Sequence, residues 1–596
     1  MATYKAPLRD MRFVLYELHD GAALSSLPGL EDMTPELFDP VLEEAAKVCE
    51  EVLFPLNRSG DEEGCHFENG VVRTPKGFIE AYKTFREGGW TSVTSDPAYG
   101  GQGVPNIVNV LITEMICSAN LSFGLYPGLT QGACKALVAH GSEELKQRYM
   151  PKLVEGTWSG TMCLTEPHCG TDLGLCRTKA VPNDDGTYRL TGTKIFISAG
   201  EHDLTENIIH FVLARLPDAP PGIKGISLFL VPKFLPKDDG TPGKRNGVAC
   251  GAIEHKMGIK ASATCVLNFD EATAWLVGAP HKGMRSMFTM MNEERLAVGL
   301  QGLGLAEVSY QGAVAYARER LQGRSLAGTK YPDKPADPII VHPDVRRMLL
   351  NMRAAAEGCR ALGAWVGQAV DIAAHSDDPK AKQEAEDFVA LMTPIVKALF
   401  TDYGFETANH GVQVMGGHGY IREHGMEQYV RDARIAQVYE GTNGVQALDL
   451  VGRKLGAHMG RNLRSFFHPV ADFIQSRSDN PALSRYVDPL TKAFVRLQQA
   501  TGQIAKVGLK RPEEAGSAAT EYLRLFGLVA LAYQWARMAE VSLKKLEEKT
   551  GEDDFYRAKL ATGAFFMDKV LPQTGALFSS IMAGGSTMIE FPEAAF

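Results

Sequence analysis

The sequence predicts an α+β protein, mostly helical, with one β domain set between helical regions. Three observations predict it. Apolar residues recur at helical spacing up to about residue 155. From about 156 to 275 the texture changes to short β-branched and aromatic runs, "YRLTGTKIFIS", "ISLFLVP" and "TCVLNFD", bounded by glycine, proline and aspartate. From about 284 helical pattern returns in long stretches and continues to the end of the chain.

The elements follow in order. Residues 1–38 read as an N-terminal extension and 39–155 as a helical domain. Asp39 and Pro40 suit an N-cap and first helical residue, and Val41, Ala45, Val48 and Val52 form a stripe that Pro55 ends. The turn-rich "SDPAYGGQGVPN" interrupts this domain. Residues 156–280 form the β domain, 281–460 a helical domain broken by the loop "GTKYPDKPADP", and 461–596 an extra helical block. In that block Leu490, Phe494 and Leu497 share one helix face, and "LFGLVALAYQW", Leu525 to Trp535, reads as the longest apolar stretch and a buried helix, too short to span a bilayer. No internal repeat or low-complexity tract is visible.

Composition excludes several classes. The 596 residues are 45% apolar and 22% charged, the balance of a soluble globular chain. A net charge of −9, from 62 basic and 71 acidic residues, argues against a dedicated nucleic-acid surface. Ten cysteines without a CxxC pair fit reduced thiols and no zinc pattern, so no metal is expected. The first twenty residues mix acids with bases and lack a continuous apolar core, unlike a targeting segment. A cytoplasmic location is the expectation. No strand–GxGxxG–helix unit appears, and "MGGHGY" does not follow a strand, so a Rossmann nucleotide site is not expected.

The most pointed stretch is "QVYEGTNGVQALDL", Gln437 to Leu450, where Glu440 sits between an aromatic residue and a glycine beside an apolar run. A carboxylate in partly dehydrated surroundings gains basicity. A helix-start acid stabilised by the helix dipole is the alternative. A second acid, Glu294 in "MMNEERLAVG", lies on a long helical pattern next to Arg295.

Five stretches, in order, resemble the acyl-CoA dehydrogenase family: "HGSEELKQRYMPKLVEGTW", "MCLTEPHCGTDLG", "TGTKIFISAG", "QVMGGHGYIRE" and "RDARIAQVYEGTNGVQ". The resemblance covers roughly 40 to 455, and the leader and C-terminal block resemble the family's longer bacterial branch, which includes fatty acyl-CoA and 3-methylthiopropionyl-CoA dehydrogenases. It implies an N-terminal helical domain, a middle β-barrel or sandwich that binds flavin, a C-terminal four-helix bundle and an additional C-terminal helical domain.

The implied activity is FAD-dependent α,β-dehydrogenation of a medium- or long-chain fatty acyl-CoA to the trans-2-enoyl-CoA, the first step of β-oxidation. Electrons would pass to electron-transfer flavoprotein, from a homodimer. A 3-methylthiopropionyl-CoA enzyme is the alternative, with an acyl-CoA oxidase and a DNA-associated member behind it. For the last, "LKKLEEK" and "KVGLKR" are the only candidate basic clusters in the C-terminal helices, and a solvated helix face explains both.

The resemblance also implies site residues. Glu440 would be the base, because "YEGT" is intact; some members carry the acid at the position of Glu294, read here as a surface or helix-pairing residue. Tyr439, Gly441, Arg295 and Thr171 would meet substrate. Met162, Leu164 and Thr165 would contact the isoalloxazine ring, Phe196 would pack against it and the Ser198 hydroxyl would reach N5, although strand alternation alone could place both. Gly170 and Thr171 belong to a turn bordering flavin and pantetheine, in which His168 and Cys169 replace the usual small residues. Arg320 and Gln322 would hold the pyrophosphate across a dimer interface, Gln413, Gly416 and Gly417 the adenosine part, and Thr442 the flavin. Gly323 and Arg324 depart from the family's aromatic and glycine, and Gly444 stands where many relatives have glutamine.

Overall fold

A computed structural model describes residues 4–596 and divides the chain into two compact units. One comprises Met1–Ala46, Pro105–Ser118 and Val298–Phe596; the other comprises Lys47–Val104 and Ala119–Ala297. Two of the four divisions fall inside the long helices Asn106–His140 and Gly283–Glu319, one inside Pro35–Val48 and one just before Asn106.

The second unit holds the β domain. Its central sheet closes on itself. Tyr188–Ser198 pairs antiparallel with Thr264–Val277, which pairs with Ile226–Pro232. That strand pairs with Asn207–Arg215, which meets Lys179–Pro182, and Lys179–Pro182 returns to Tyr188–Ser198. Closure removes free edges from these five strands. Trp158–Cys163 adds in parallel to Asn207–Arg215, and Val248–Ile253 adds to Thr264–Val277.

Asn207–Arg215 is buried along nearly its whole length because both faces are covered. Val212 and Ala214 point into the barrel core with Leu190, Ile197, Phe229 and Val231. Ile209, Phe211 and Leu213 join a second core with Leu137, Tyr149, Trp158, Met287 and Met290. The barrel half of the expectation is therefore the realised one.

The first unit is helical. Pro343–His375 and Pro379–Met415 pack side by side, and Met426–Ala436 lies on the latter. They approach the C-terminal half of Gly283–Glu319 closely. A Cβ on Gly302 would lie 2.2 Å from the Phe400 carbonyl oxygen, and one on Gly404 would lie 2.7 Å from Gly302 Cα. The C-terminal block is organised around Ala519–Glu548, which packs on Ser484–Gly508, Asp553–Phe565, Gln573–Ala583 and both long bundle helices. Leu490, Phe494 and Leu497 are buried there, as is the whole of 525–535 except for a slightly open Tyr533.

The leader is tied into this unit by a buried charge cluster. Arg360 donates to Asp10, to Glu114 (Nε to Oε2, 2.9 Å) and to Glu307 (2.7 Å), and Lys559 bonds Glu357 (2.7 Å) and pairs with Asp10. Burial of so many groups is tolerable because every carboxyl has a cationic partner and burial lifts Glu114 to about 7, which lets it stay protonated.

Two local expectations change. The first long helix begins at Pro35, with Pro40 inside it, and the chain continues through the π-turn Cys49–Leu53 before Pro55 opens the next helix. Pro35 already supplies the favoured proline start, one turn earlier. The buried stripe is accordingly Phe38, Leu42, Ala45, Ala46, Cys49 and Leu53, while Val41, Val48 and Val52 are half-covered or near the rim. The longest apolar windows also lie elsewhere than Leu525–Trp535: Asn106–His140 and Pro379–Tyr420 are long and apolar enough to cross a membrane, but 78% of each window is buried inside the protein. All ten cysteines are free.

Candidate active site

The helical unit carries Glu440. Met426–Ala436 ends just before it, and Asn443–Asp449 begins just after, with Thr442 as N-cap accepting from Val445 N–H at 3.2 Å. Between the helices the chain reverses. Glu440 has φ +57° and Gly441 φ +87°, both left-handed. Glycine suits that region; a glutamate there stores on the order of 1–3 kcal/mol and persists only if its surroundings hold it.

They do hold it. Gln446 Nε2 donates to the carbonyls of Glu440 (3.1 Å) and Gly441 (3.3 Å). Lys397 Nζ donates to the Gly441 carbonyl (2.8 Å) and to Asn443 Oδ1 (2.9 Å). The Tyr439 hydroxyl donates to Gln301. Glu440 itself is half-buried. It stands two residues ahead of the N-cap, so the helix-start explanation does not account for its turn. Of these side chains the sequence pointed to Tyr439 but not to Gln301, Lys397 or Gln446. One signal was available: a lysine inside the apolar run "TPIVKALF".

The same unit brings the Arg320 and Gly416 regions to one end of the bundle. The Tyr316 hydroxyl meets His418 Nδ1 at 2.9 Å, and Ala317, Ile339, Met348 and Val414 share a core. Arg320, Gln322, Gln413, Gly416 and Gly417 are all exposed. No atom lies within 4 Å of a Cβ added to Gly416 or Gly417, so this face is open to a bulky group. The loop after Arg320 is shaped by buried Asp337, which accepts from the N–H groups of Ser325 (2.9 Å), Lys330 (3.1 Å) and Tyr331 (2.8 Å) and from Arg324 (3.2 Å). Burial pushes its carboxyl up, but these donors outweigh it and hold it at about 2. Arg324, which departs from the family pattern, thus has a structural task.

The β-domain unit carries the residues expected to face the ring. Pairing slips between Lys194↔Leu267 and Ile197↔Cys265, so the strand carries an extra residue, a β-bulge. Phe196 lies in it with φ +58° and is 59% exposed, while Lys194, two residues earlier, is fully buried. Plain alternation would put both on one face; the bulge turns Phe196 outward. Met162, Leu164, Thr165 and Ser198 are half-buried, and Gly170 and Thr171 exposed. The Thr165 carbonyl accepts from Ile195 N–H at 2.9 Å, which joins the two ring-facing segments.

Beneath that turn lies a buried ion pair. Lys194 Nζ donates to Glu166 Oε1 (2.8 Å) and to the Leu164 carbonyl (2.9 Å), and Glu166 also accepts from Thr178 Oγ1 (2.6 Å) and Arg177 N–H (2.8 Å). Burial raises the Glu166 carboxyl, but Lys194 and the hydrogen bonds prevail and bring it to about 2. The 166–169 turn is closed by paired backbone bonds between Glu166 and Cys169. His168 is accommodated there by a bond to the Leu175 carbonyl at 2.9 Å. An uncovered aromatic beside half-buried Met162 and Leu164 fits a flat apolar ring, and exposed Arg320 with the open glycine face fits an anionic dinucleotide tail.

Glu294 and Arg295 also lie in this unit, and of the surface and helix-pairing readings of Glu294 the surface one is corrected. Glu294 is 6% exposed and faces Gly132 of Asn106–His140, where an added Cβ would lie 2.7 Å from its Oε1. It pairs helices. Arg295 is equally buried, its guanidinium 5.8 Å from the Phe288 ring centre.

Comparison with known proteins covers the whole chain. Residues 39–157, 161–272 and 281–455 match the models for the acyl-CoA dehydrogenase N-terminal, middle and C-terminal domains, and 466–592 match "Acetyl-CoA dehydrogenase C-terminal like". A 3-methylmercaptopropionyl-CoA dehydrogenase of Ruegeria pomeroyi is 42% identical over 98% of this chain and 99% of its own. A butyryl-CoA dehydrogenase of Syntrophomonas wolfei is 35% identical over 100% and 99%. The fold is shared with an acyl-CoA dehydrogenase of Bacillus anthracis solved with FAD, with TM-score 0.74 and 22% identity over 95% of this chain and 91% of that one.

Proposed function

Since the chain belongs to the acyl-CoA dehydrogenase family, we propose that it binds FAD at the ring-facing residues of its barrel and oxidises a short acyl-CoA across Cα–Cβ, with Glu440 as the base. The observation that carries this is the Glu440 turn: a half-buried carboxylate in a strained left-handed backbone, with the carbonyls of residues 440 and 441 gripped by side chains from two helices.

Dehydrogenation breaks two C–H bonds and forms one C=C bond. FAD, when bound, supplies the acceptor for the hydride leaving Cβ. The Glu440 carboxylate takes the proton from Cα. The Glu440 N–H is the donor for the thioester oxygen, which must gain negative character as the proton leaves. Phe196 covers one edge of the ring site and Ser198 offers a hydroxyl beside it. Arg320 and Gln322 would hold the pyrophosphate, and Gln413, Gly416 and Gly417 the adenosine part, across a homodimer.

A short acyl group, 3-methylthiopropionyl or butyryl, is favoured over a medium or long chain by the full-length likeness to enzymes named for those substrates. Electron-transfer flavoprotein is the proposed acceptor and the cytoplasm the proposed location. Anaerobic titration of the yellow protein with 3-methylthiopropionyl-, butyryl- and octanoyl-CoA tests the reading by flavin bleaching, followed by reoxidation with electron-transfer flavoprotein or oxygen. Glu440→Gln should abolish bleaching and Glu294→Gln should spare it. Bleaching that survives the first change and dies with the second moves the base to Glu294.

A further inference from the structure

We infer that Lys397 is a positioning residue for the base: its buried ammonium holds the Gly441–Thr442 peptide, and with it the turn from which Glu440 takes the proton. The inference rests on Glu440 being that base.

Lys397 is 0% exposed, in the middle of Pro379–Met415. Removing an ammonium from water costs several kcal/mol unless strong partners replace the water. The partners here are not helix neighbours. They are the Gly441 carbonyl and Asn443 Oδ1, which flank the Thr442 N-cap.

One helix face reads the whole turn. One turn along from Lys397, Thr401 accepts from Asn443 Nδ2 at 3.0 Å, and Asp402 accepts from Asn443 Nδ2 at 2.7 Å and from Gln437 Nε2 at 2.7 Å. The turn is therefore clamped at Gln437 before Glu440 and at Asn443 after it, with Lys397 bonded at the centre. Gln446 approaches the same carbonyls from the following helix.

The left-handed pair 440–441 relaxes if the peptides that follow it are free to turn. Gln446 holds the first through the Glu440 carbonyl, and Lys397 holds the second through the Gly441 carbonyl. Lysine suits the task because its long stem reaches across and its charge strengthens the bond to a carbonyl. Methionine would fill the space without a donor, and glutamine is too short to keep the bond.

The test isolates proton removal from flavin reduction. 3,3-Dimethylbutyryl-CoA has α-hydrogens and none on Cβ, so its exchange with deuterated solvent, followed by mass spectrometry, reports the base alone. Lys397→Met and Lys397→Gln should each slow α-exchange by about 10²-fold, the loss typical of a misplacement of about 1 Å. FAD content and acyl-CoA affinity should stay near wild type, the latter within about threefold, as a loss confined to the reacting geometry requires. Circular dichroism of each variant normalises the rates to folded protein, and Lys397→Gln serves if Lys397→Met does not accumulate. If Glu440→Gln is silent but the Lys397 variants exchange within about threefold of wild type, the positioning role is overturned. A loss that only tracks lost affinity or lost FAD overturns it too. If Glu440→Gln itself still exchanges, it is the assignment of the base that fails.

Discussion

Replacing Lys194 by methionine should break the support under the 164–169 turn, and the cost can be worked from the contacts. Lys194 is fully buried and Glu166 is 3% exposed. Removing one partner of such a pair costs about 3–5 kcal/mol, because the other charge stays behind. Here the orphaned carboxylate keeps Thr178 Oγ1 (2.6 Å), Thr178 N–H (3.0 Å) and Arg177 N–H (2.8 Å), which places the electrostatic loss at the low end, about 3 kcal/mol. The Leu164 carbonyl also loses its donor, for about 1 kcal/mol more. The expected destabilisation is about 4 kcal/mol, sum of the two.

Urea unfolding measures it, with retained flavin absorbance as the functional companion, since Leu164 and Thr165 sit on the turn that the pair supports. The double change Lys194→Met with Glu166→Gln removes the stranded charge and should recover more than about 1 kcal/mol of the loss. The pH dependence has a defined sign. Glu166 is held at about 2 against an ordinary 4.5, so its contribution is complete above 4.5 and is lost as pH falls through about 2. The gap between wild type and Lys194→Met should therefore narrow only on strong acidification. A single-variant cost below about 1 kcal/mol, or a double variant as damaged as the sum, would refute the reasoning.

Two further outcomes follow from other contacts. Burial raises Glu114 to about 7 against the pull of Arg360, so the folded chain holds a proton there that the unfolded chain has released. Unfolding free energy should fall by up to roughly 3 kcal/mol as pH rises from about 4.5 to about 7, and Glu114→Gln should flatten that slope in denaturation at pH 5 and pH 8; an unchanged slope refutes it. Gly302→Ala drives a methyl to 2.2 Å from the Phe400 carbonyl oxygen, a backbone atom that cannot swing away. The helix crossing should lose about 1–3 kcal/mol in thermal unfolding, and a melting point equal to wild type would contradict the close approach.

By itself the sequence determined the order of helix, β domain and helix, since each rests on local periodicity and on turn residues that act over a few positions. It also singled out Glu440, Phe196, Ser198 and Arg320, because their motifs are contiguous. The tertiary structure alone decided what those residues do with their backbones and neighbours. The bulge that turns Phe196 outward comes from a pairing slip with a strand some seventy residues away. Glu294 is buried, with Gly132 of another helix close against its carboxylate, a contact its own helix does not reveal. Lys397 and Glu440 stand 43 residues apart in sequence, and Asp10, Glu114, Arg360 and Lys559 span nearly the whole chain, yet each group meets in one place. Charge pairing and backbone strain depend on distances in space, which a linear spacing of residue types does not encode.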